Sequence, residues 1–259
     1  MTPPVSNTKP ASPGKPTSKD PLRENYREAF VTNPRRKEHL AEGKIALMCI
    51  DVQYLDAADG WGLFSDPEKS GVTEEGRRYY FNRLKQTVLP GMRKLQDAFR
   101  ENMLEVIHCR ICALTKDGRD RSPGHRRLNL LAAPDSKEAE FLEEVAPKGD
   151  EIVINKTASG VFSSTNIHYV LSNMGIRSLY LCGVYTNECV ETTARDACDL
   201  GYFVTVIDNA CATVTQQLHD ASLATLRDRY ARICTVEETL SELETLSVCS
   251  TTGIITVMD

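Results

Sequence analysis

The sequence predicts an α/β fold, a three-layer αβα sandwich built on a mainly parallel central sheet. Three observations predict it. Short, almost wholly apolar runs recur along the chain, and such runs are strands buried on both faces. Segments of helix length separate them, so successive strands are joined by crossovers and lie parallel. Two of the runs end abruptly in a charged residue, Asp51 and Lys156, which places those side chains at the carboxyl edge of the sheet, where ligands sit.

Residues 1–22 are rich in Pro, Ser, Thr and Lys and hold little that could pack, so a disordered tail is expected there. The folded domain is expected over 23–246, opening with a charged, partly helical lead-in. Ile45-Ala46-Leu47-Met48-Cys49-Ile50 is the first strand, ending in Asp51. A helix is expected over 74–101 with a kink at Pro90. Residues 104–109 give the second strand. The loop 115–134 is polar, carries Gly118, Pro123, Gly124 and several basic residues, and is too long for a plain connector; it reads as a lid or a subunit contact. Residues 151–155 form the third strand, ending at Lys156. Thr165 or Asn166 can cap the next helix, and Gly175 can close it. Residues 179–182 are the fourth strand, followed by Gly183. A helix begins near Asn187 and stops at Gly201, with Val190, Ala194 and Ala197 on one face. Residues 203–207 and 233–236 complete the strands, and helices are expected over 214–230 and 237–246. Residues 247–259 read as a C-terminal tail. Its apolar Ile254-Ile255-Thr256-Val257 suits burial on a partner subunit or an extra strand, so a homo-oligomer is expected.

The 259 residues are 41% hydrophobic and 26% charged, which fits a soluble α/β domain with a sizeable core. A net charge of −5 argues against a nucleic-acid surface, which needs a basic excess or stripe. The sequence has no apolar run long enough to span a bilayer and no signal-peptide core near Met1, so neither a membrane nor a nucleic-acid partner is expected. Of the nine cysteines, Cys49, Cys182, Cys198, Cys211 and Cys234 lie in apolar segments, as reduced buried thiols do. That reads as a reducing compartment, the cytoplasm. Cys109 and Cys112 form a CxxC pair. No second pair completes a zinc site, so strand-edge thiols are expected.

Cys189 falls just inside a helix start, behind Thr186 and Asn187, either of which can cap. Free N–H groups and partial positive charge there favour a thiolate, lowering the thiol from its usual pKa of about 8.5, and can hold an oxyanion. A buried small hydrophobe, the role assigned to Cys198, explains the position equally well. Asp51 is either a cap or loop carboxylate, or a general base whose pKa a partly dry pocket raises. Lys156 is either a solvated charge or an ammonium that steadies a thiolate.

The run from Leu181 to Ala197, with Gly183-Val184-Tyr185-Thr186-Asn187-Glu188-Cys189-Val190 at its centre and Arg195-Asp196-Ala197 at its end, resembles the nucleophile turn of isochorismatase-like cysteine hydrolases. That turn reads Gly-Val-x-Thr-x-x-Cys-Val and leads into a small-residue helix. Ile50-Asp51-Val52-Gln53 resembles the family's first-strand aspartate, and Asn155-Lys156 with Ser159 and Phe162 its lysine segment. Gly201-Tyr202 and Asp208-Asn209-Ala210-Cys211-Ala212 resemble its next strand and loop. The resemblance covers about 44–246. It implies an Asp51–Lys156–Cys189 catalytic triad, a cis peptide between Val184 and Tyr185, and oxyanion contacts from the backbone N–H groups of Tyr185 and Cys189.

The chain departs from the family's metal-dependent nicotinamidases, which carry an Asp-x-His motif and a further histidine after the first catalytic strand. No histidine lies between His39 and His108, and His108 reads as a core or strand-edge residue, so no metal and no organic cofactor are expected. The segment 114–120 looks closer to members acting on ureides and linear amides, such as biuret and ureidoacrylate amidohydrolases. The resemblance therefore implies hydrolysis of a small amide or ureide through a cysteine thioester. A vinyl ether or cyclic carboxamide hydrolase, and a silent scaffold on the same fold, remain open. Gln53, Tyr54, Phe162, Tyr185 and Gln216 are candidate pocket residues by their nearness in sequence to the triad. Arg110, Lys116 and Arg119 could pair with a substrate carboxylate, or form a solvated basic loop.

Overall fold

The computed structural model describes residues 25–68 and 70–252. The tail expected over 1–22 and the apolar run 254–257 lie outside the described residues. A π-helical turn, Arg27–Val31, and helix α1 (Arg35–Ala41) lead into β1 (Ile45–Ile50), whose six residues are all buried. The first crossover holds α2 (Tyr54–Ala57), α3 (Glu74–Arg83) and α4 (Leu89–Glu101) and returns to β2 (Glu105–Ile111). The helix expected over 74–101 is thus two helices joined by a π-helical turn, Leu84–Val88, just ahead of Pro90. A wide turn accommodates a ring that clashes with the carbonyl one helical turn earlier.

The chain continues through α5 (Pro123–Arg127), β3 (Ile152–Lys156), α6 (Val161–Ser164), α7 (Ile167–Asn173) and β4 (Ser178–Val184). It ends with α8 (Glu191–Asp199), β5 (Phe203–Ala212), α9 (Gln216–Leu226), β6 (Arg232–Cys234) and α10 (Val236–Thr252). The strands form one sheet in the order β3-β2-β1-β4-β5-β6, and every pairing is parallel. The sheet is therefore wholly rather than mainly parallel.

Alternate residues of the central strands face two cores. Leu47, Cys49, Tyr180 and Cys182 pack with Tyr80, Met92, Phe99 and Leu243 from α3, α4 and α10. Met48, Ile50, Leu179 and Leu181 pack with Ile167, Leu171, Ala194 and Leu223 from α7, α8 and α9. Each such side chain stabilises the fold by about 1.5–3 kcal/mol through burial. That double burial is why β1 and β4 read as unbroken apolar runs, while edge strand β3 alternates and leaves Val153 39% exposed.

Two boundaries differ from expectation. β5 runs on through Asp208 and Asn209 to Ala212, where polar residues suggested a loop. An irregularity in its pairing with β4 lets the ladder resume at Gly183↔Cys211. The final helix runs past residue 246 to Thr252, into the segment read as a tail.

The chain runs outward from β1 to β3, then crosses back to lay β4 on the other side of β1. The order reverses between β1 and β4, and a crevice at such a switch point is where open α/β sheets bind ligands. Gly183, opposite Ile50 in the register, closes this seam. Its φ is +120°, and a Cβ there would stand 2.0 Å from the Ile50 carbonyl oxygen, so only glycine allows β1 and β4 to meet.

Candidate active site

Three residues converge at the carboxyl ends of the strands. Asp51 follows β1. Its N–H donates to the Cys109 carbonyl at 2.9 Å, extending the ladder one step, and a φ of 55° then turns the chain away. Aspartate is among the few residues that tolerate this left-handed region, at a cost of roughly 1 kcal/mol. Lys156 ends β3, and β2 lies between β3 and β1. The long lysine side chain crosses that gap: Nζ stands 2.9 Å from Asp51 Oδ2 and 3.4 Å from Cys189 Sγ, and donates to the Ala158 carbonyl at 3.0 Å. Cys189 lies in a π-helical turn, Thr186–Val190, between β4 and α8. The Val184–Tyr185 peptide before this turn is cis.

The three side chains are sealed: Lys156 is 0% exposed, Asp51 1% and Cys189 4%. Burial pushes the Asp51 carboxyl above its ordinary value, against the pull of the Lys156 ammonium. Burial weakens the Lys156 ammonium, but Asp51 and Cys189 outweigh it, and its pKa stands above the ordinary lysine value. The Cys189 thiol is pushed well above its usual value by burial first, with Lys156 opposing and Asp51 adding to the rise. This corrects the thiolate expected from a helix start. Depth in the protein and a carboxylate in contact oppose the partial charge of the turn and favour the thiol over the thiolate.

The remaining sequence candidates are placed as follows. Gln53 is fully buried, and its amide is spent on backbone: Nε2 donates to the Ile111 and Glu138 carbonyls at 2.9 and 2.8 Å, and Oε1 accepts from the Ile111 N–H at 2.7 Å. It clamps two loops rather than offering its amide to a ligand. The Tyr54 ring packs edge-on to Trp61 and under the Lys137 ammonium, 3.9 Å away. Phe162 packs on Tyr202 in the core under α7 and α8. Gln216 accepts from the Tyr79 hydroxyl at 2.7 Å and donates to Asp220 at 2.6 Å. Arg110 donates to Asn155 and to the Ala139 carbonyl and lies over the Phe141 ring. Lys116 and Arg119 are exposed, and Arg119 pairs with Asp117. Of the backbone candidates, Val184 and Tyr185 are buried at the end of β4, and the Tyr185 carbonyl accepts from the N–H groups of Glu188 and Val190 at 3.0 and 3.2 Å.

Other groups were not singled out by sequence. His219, 1% exposed, joins Asp208 Oδ1 at 2.8 Å from Nε2 to Thr186 Oγ1 at 2.9 Å from Nδ1, and Arg83 also reaches Nε2 at 2.9 Å. Ser222 donates to the Thr186 carbonyl at 3.1 Å. This network grips the first residue of the Cys189 turn. Asp56 and His125 are buried close by. The signals were faint: Asp56 follows Asp51 by five residues, and His125 follows Ser122-Pro123-Gly124, a capped helix start. His108 is a core residue bonded to Glu151 at 3.0 Å. Eight of the nine cysteines, Cys109 and Cys112 among them, are unpaired thiols. The loop 115–134 is fastened internally: Asp120 accepts from the Leu114 and Thr115 N–H groups, and Arg121 donates to the Gly118 and Leu130 carbonyls. Among the described residues, no cluster of three or more His, Cys, Asp or Glu could hold a metal ion, and no helix is long and apolar enough to cross a membrane.

A doubly wound, all-parallel sheet with charged groups gathered at its switch point defines an α/β protein with a candidate ligand site at the carboxyl edge of its sheet. More particularly, the chain belongs to the isochorismatase family: the model of the isochorismatase domain matches residues 46–238. Among similar curated proteins, the isochorismatase family protein YwoC of Bacillus subtilis is 34% identical over 106 residues, 41% of this chain and 56% of that protein. The ureidoacrylate amidohydrolase RutB of Acinetobacter baylyi is 36% identical over 98 residues, 38% of this chain and 40% of that protein. The chain thus spans about half the length of the curated relatives it matches. The crystal structure of a cysteine hydrolase from Pseudomonas syringae shares the fold, with a TM-score of 0.66 at 21% identity, over 79% of this chain and 94% of that one.

Proposed function

We propose that the protein hydrolyses a C–N bond of a small amide or ureide, with Cys189 as nucleophile, Asp51 as general base and acid, and Lys156 as the charge that steadies both. The observation that carries this reading is the Lys156 ammonium held 2.9 Å from the Asp51 carboxylate and 3.4 Å from the Cys189 sulfur, sealed from water. A buried thiol with a base against it can lose its proton as the substrate docks.

Asp51 takes the Cys189 proton, and the sulfur attacks the substrate carbonyl carbon. The carbonyl π electrons move to oxygen, and the backbone N–H groups of Tyr185 and Cys189 receive that oxyanion. When the tetrahedral adduct collapses, the C–N bond breaks, and the leaving nitrogen takes the proton that Asp51 holds. Asp51, again a carboxylate, draws a proton from water as it attacks the thioester. The sulfur leaves and regains that proton. Lys156 stays charged throughout and offsets the negative charge as it passes between carboxylate and sulfur. The eight unpaired thiols among the described residues support work in a reducing compartment.

Ammonia release from biuret, ureidoacrylate, a linear carboxamide and nicotinamide tests the reading, with Cys189→Ala alongside and a chelator in a duplicate set. Release by the parent alone, unaffected by chelator, is the expected result. Equal release by both proteins removes Cys189 from the chemistry, and silence across the panel moves weight to another bond type.

A further inference from the structure

Two buried polar groups beside the Asp51–Lys156–Cys189 set have no part in the steps above. Asp56 is 2% exposed and His125 4%. Asp56 Oδ2 and His125 Nδ1 are both buried without a hydrogen-bond partner. Such atoms are uncommon in folded proteins because an unmade buried hydrogen bond is costly. Two of them on separate short helices, both within reach of the Lys156 charge, point to a ligand that completes them.

The two residues are fastened to different parts of the site. Asp56 lies on α2, and its own carbonyl accepts from the hydroxyls of Tyr80 at 2.8 Å and Tyr185 at 3.0 Å. Tyr185 leads directly into the Cys189 turn, so Asp56 is fastened to the strand that presents the thiol. His125 lies on α5. Ser122, the cap of α5, donates its N–H to the carbonyl of Thr157, the residue after Lys156, at 2.9 Å. Asp56 feels the charges of Asp51 and Lys156, and His125 feels that of Lys156. Burial, then Asp51, pushes the Asp56 carboxyl well above its ordinary value, which favours the neutral acid. Burial, then Lys156 and Arg121, holds the His125 ring neutral, its pKa lowered to about 4. Arg121 itself is spent on the Gly118 and Leu130 carbonyls.

We propose that Asp56 and His125 are the substrate-recognising residues of the Cys189 site, gripping an uncharged group with adjoining hydrogen-bond donor and acceptor, a carboxamide or ureide, in preference to a carboxylate. The proposal rests on the reading of Cys189 as nucleophile. A neutral carboxylic acid gives one hydrogen bond and accepts another, and a neutral imidazole does the same through its two nitrogens. An amide edge offers the matching pair. A carboxylate offers acceptors alone and brings a second negative charge against Asp51.

Two alkylating reagents of equal size test this without turnover: iodoacetamide, which is neutral, and iodoacetate, which is anionic. Modification at Cys189 is followed by mass spectrometry, and each rate is divided by that for thiols of the unfolded chain. The expected preference for iodoacetamide is about tenfold or more, as sites built to hydrogen-bond one group reject an analogue that cannot. Asp56→Asn and His125→Gln, each checked for fold by circular dichroism, should cut that preference several-fold and raise KM for an amide substrate more than they lower kcat. A reactive Cys189 whose preference is absent, or survives in both variants, overturns this inference alone. A Cys189 no more reactive than Cys198 overturns the proposed function and this inference with it.

Discussion

Cys182 and Cys189 belong to the same strand-and-turn unit, and both thiols are buried, yet their surroundings differ in kind. Cys182 is enclosed in β4, 3.7 Å from Cys49 on the neighbouring strand, and that contact and burial push its thiol up. Cys189 is pushed up by burial too, but it touches an ammonium and a carboxylate at the strand ends. Burial alone therefore yields an inert sulfur. What separates the two is a partner that can take the proton and another that can hold the charge left behind.

The sharpest test of that contrast is substitution. Cys189→Ala should lower kcat by about 10⁴-fold or more, the usual scale for removing a nucleophile, while Cys182→Ala leaves kcat within about twofold and costs roughly 1–2 kcal/mol of stability. Comparable losses of activity in the two variants would erase the distinction. Lys156→Met should make Cys189 resemble Cys182, with iodoacetamide labelling at neutral pH falling toward that of the sealed thiol. The same change breaks a buried ion pair and should destabilise the fold by about 3 kcal/mol in urea unfolding. Labelling that persists would show that the ammonium is not what sets Cys189 apart.

The pH dependence sharpens the comparison further. Asp51 must be ionised to accept the thiol proton, and burial raises it above the ordinary 3.8. Cys189 labelling should therefore rise with pH through a carboxylate pKa above that value, and Asp51→Asn should remove this limb. The smallest effect concerns His125. Its folded pKa is lowered from 6.5 to about 4, so between those limits the unfolded chain binds more protons than the folded one. Stability should fall as pH drops across that window, and His125→Gln should flatten the fall in Tm. An unchanged slope would show that the ring is already solvated.

How much of this was legible follows from where each residue sits. β1 was placed residue for residue, because a strand buried on both faces leaves an unbroken apolar run that a polar residue ends. The same signal put Asp51 and Lys156 at one rim, and the turn around Cys189 was recognisable from its motif. The state of the Cys189 thiol was not legible. Capping residues announce a turn, but the depth of that turn comes from α9 and the loops packed over it, which no local pattern records. Asp56, His125 and His219 were missed for a related reason. Asp56 and His125 lie in short segments, where neither a two-residue nor a 3.6-residue period marks the inward face, and His219 lies on the inward face of α9 with Ser222, Leu223 and Leu226, a spacing that announces burial but not which turn the ring holds. Gln53, adjacent in sequence to the site, turned out to be a clamp, since nearness along the chain says nothing of which carbonyls a buried amide must satisfy.

The order β3-β2-β1-β4 also has a consequence for the chain as it is being made. Synthesis runs from the N-terminus, so β1, β2 and β3 can assemble first, and the pairing of Asp51 with Lys156 is then complete. Cys189 arrives only when β4 is laid against the free side of β1. A nascent chain would thus carry Asp51 and Lys156 together before Cys189, and the candidate site would stay incomplete until the fourth strand locks in.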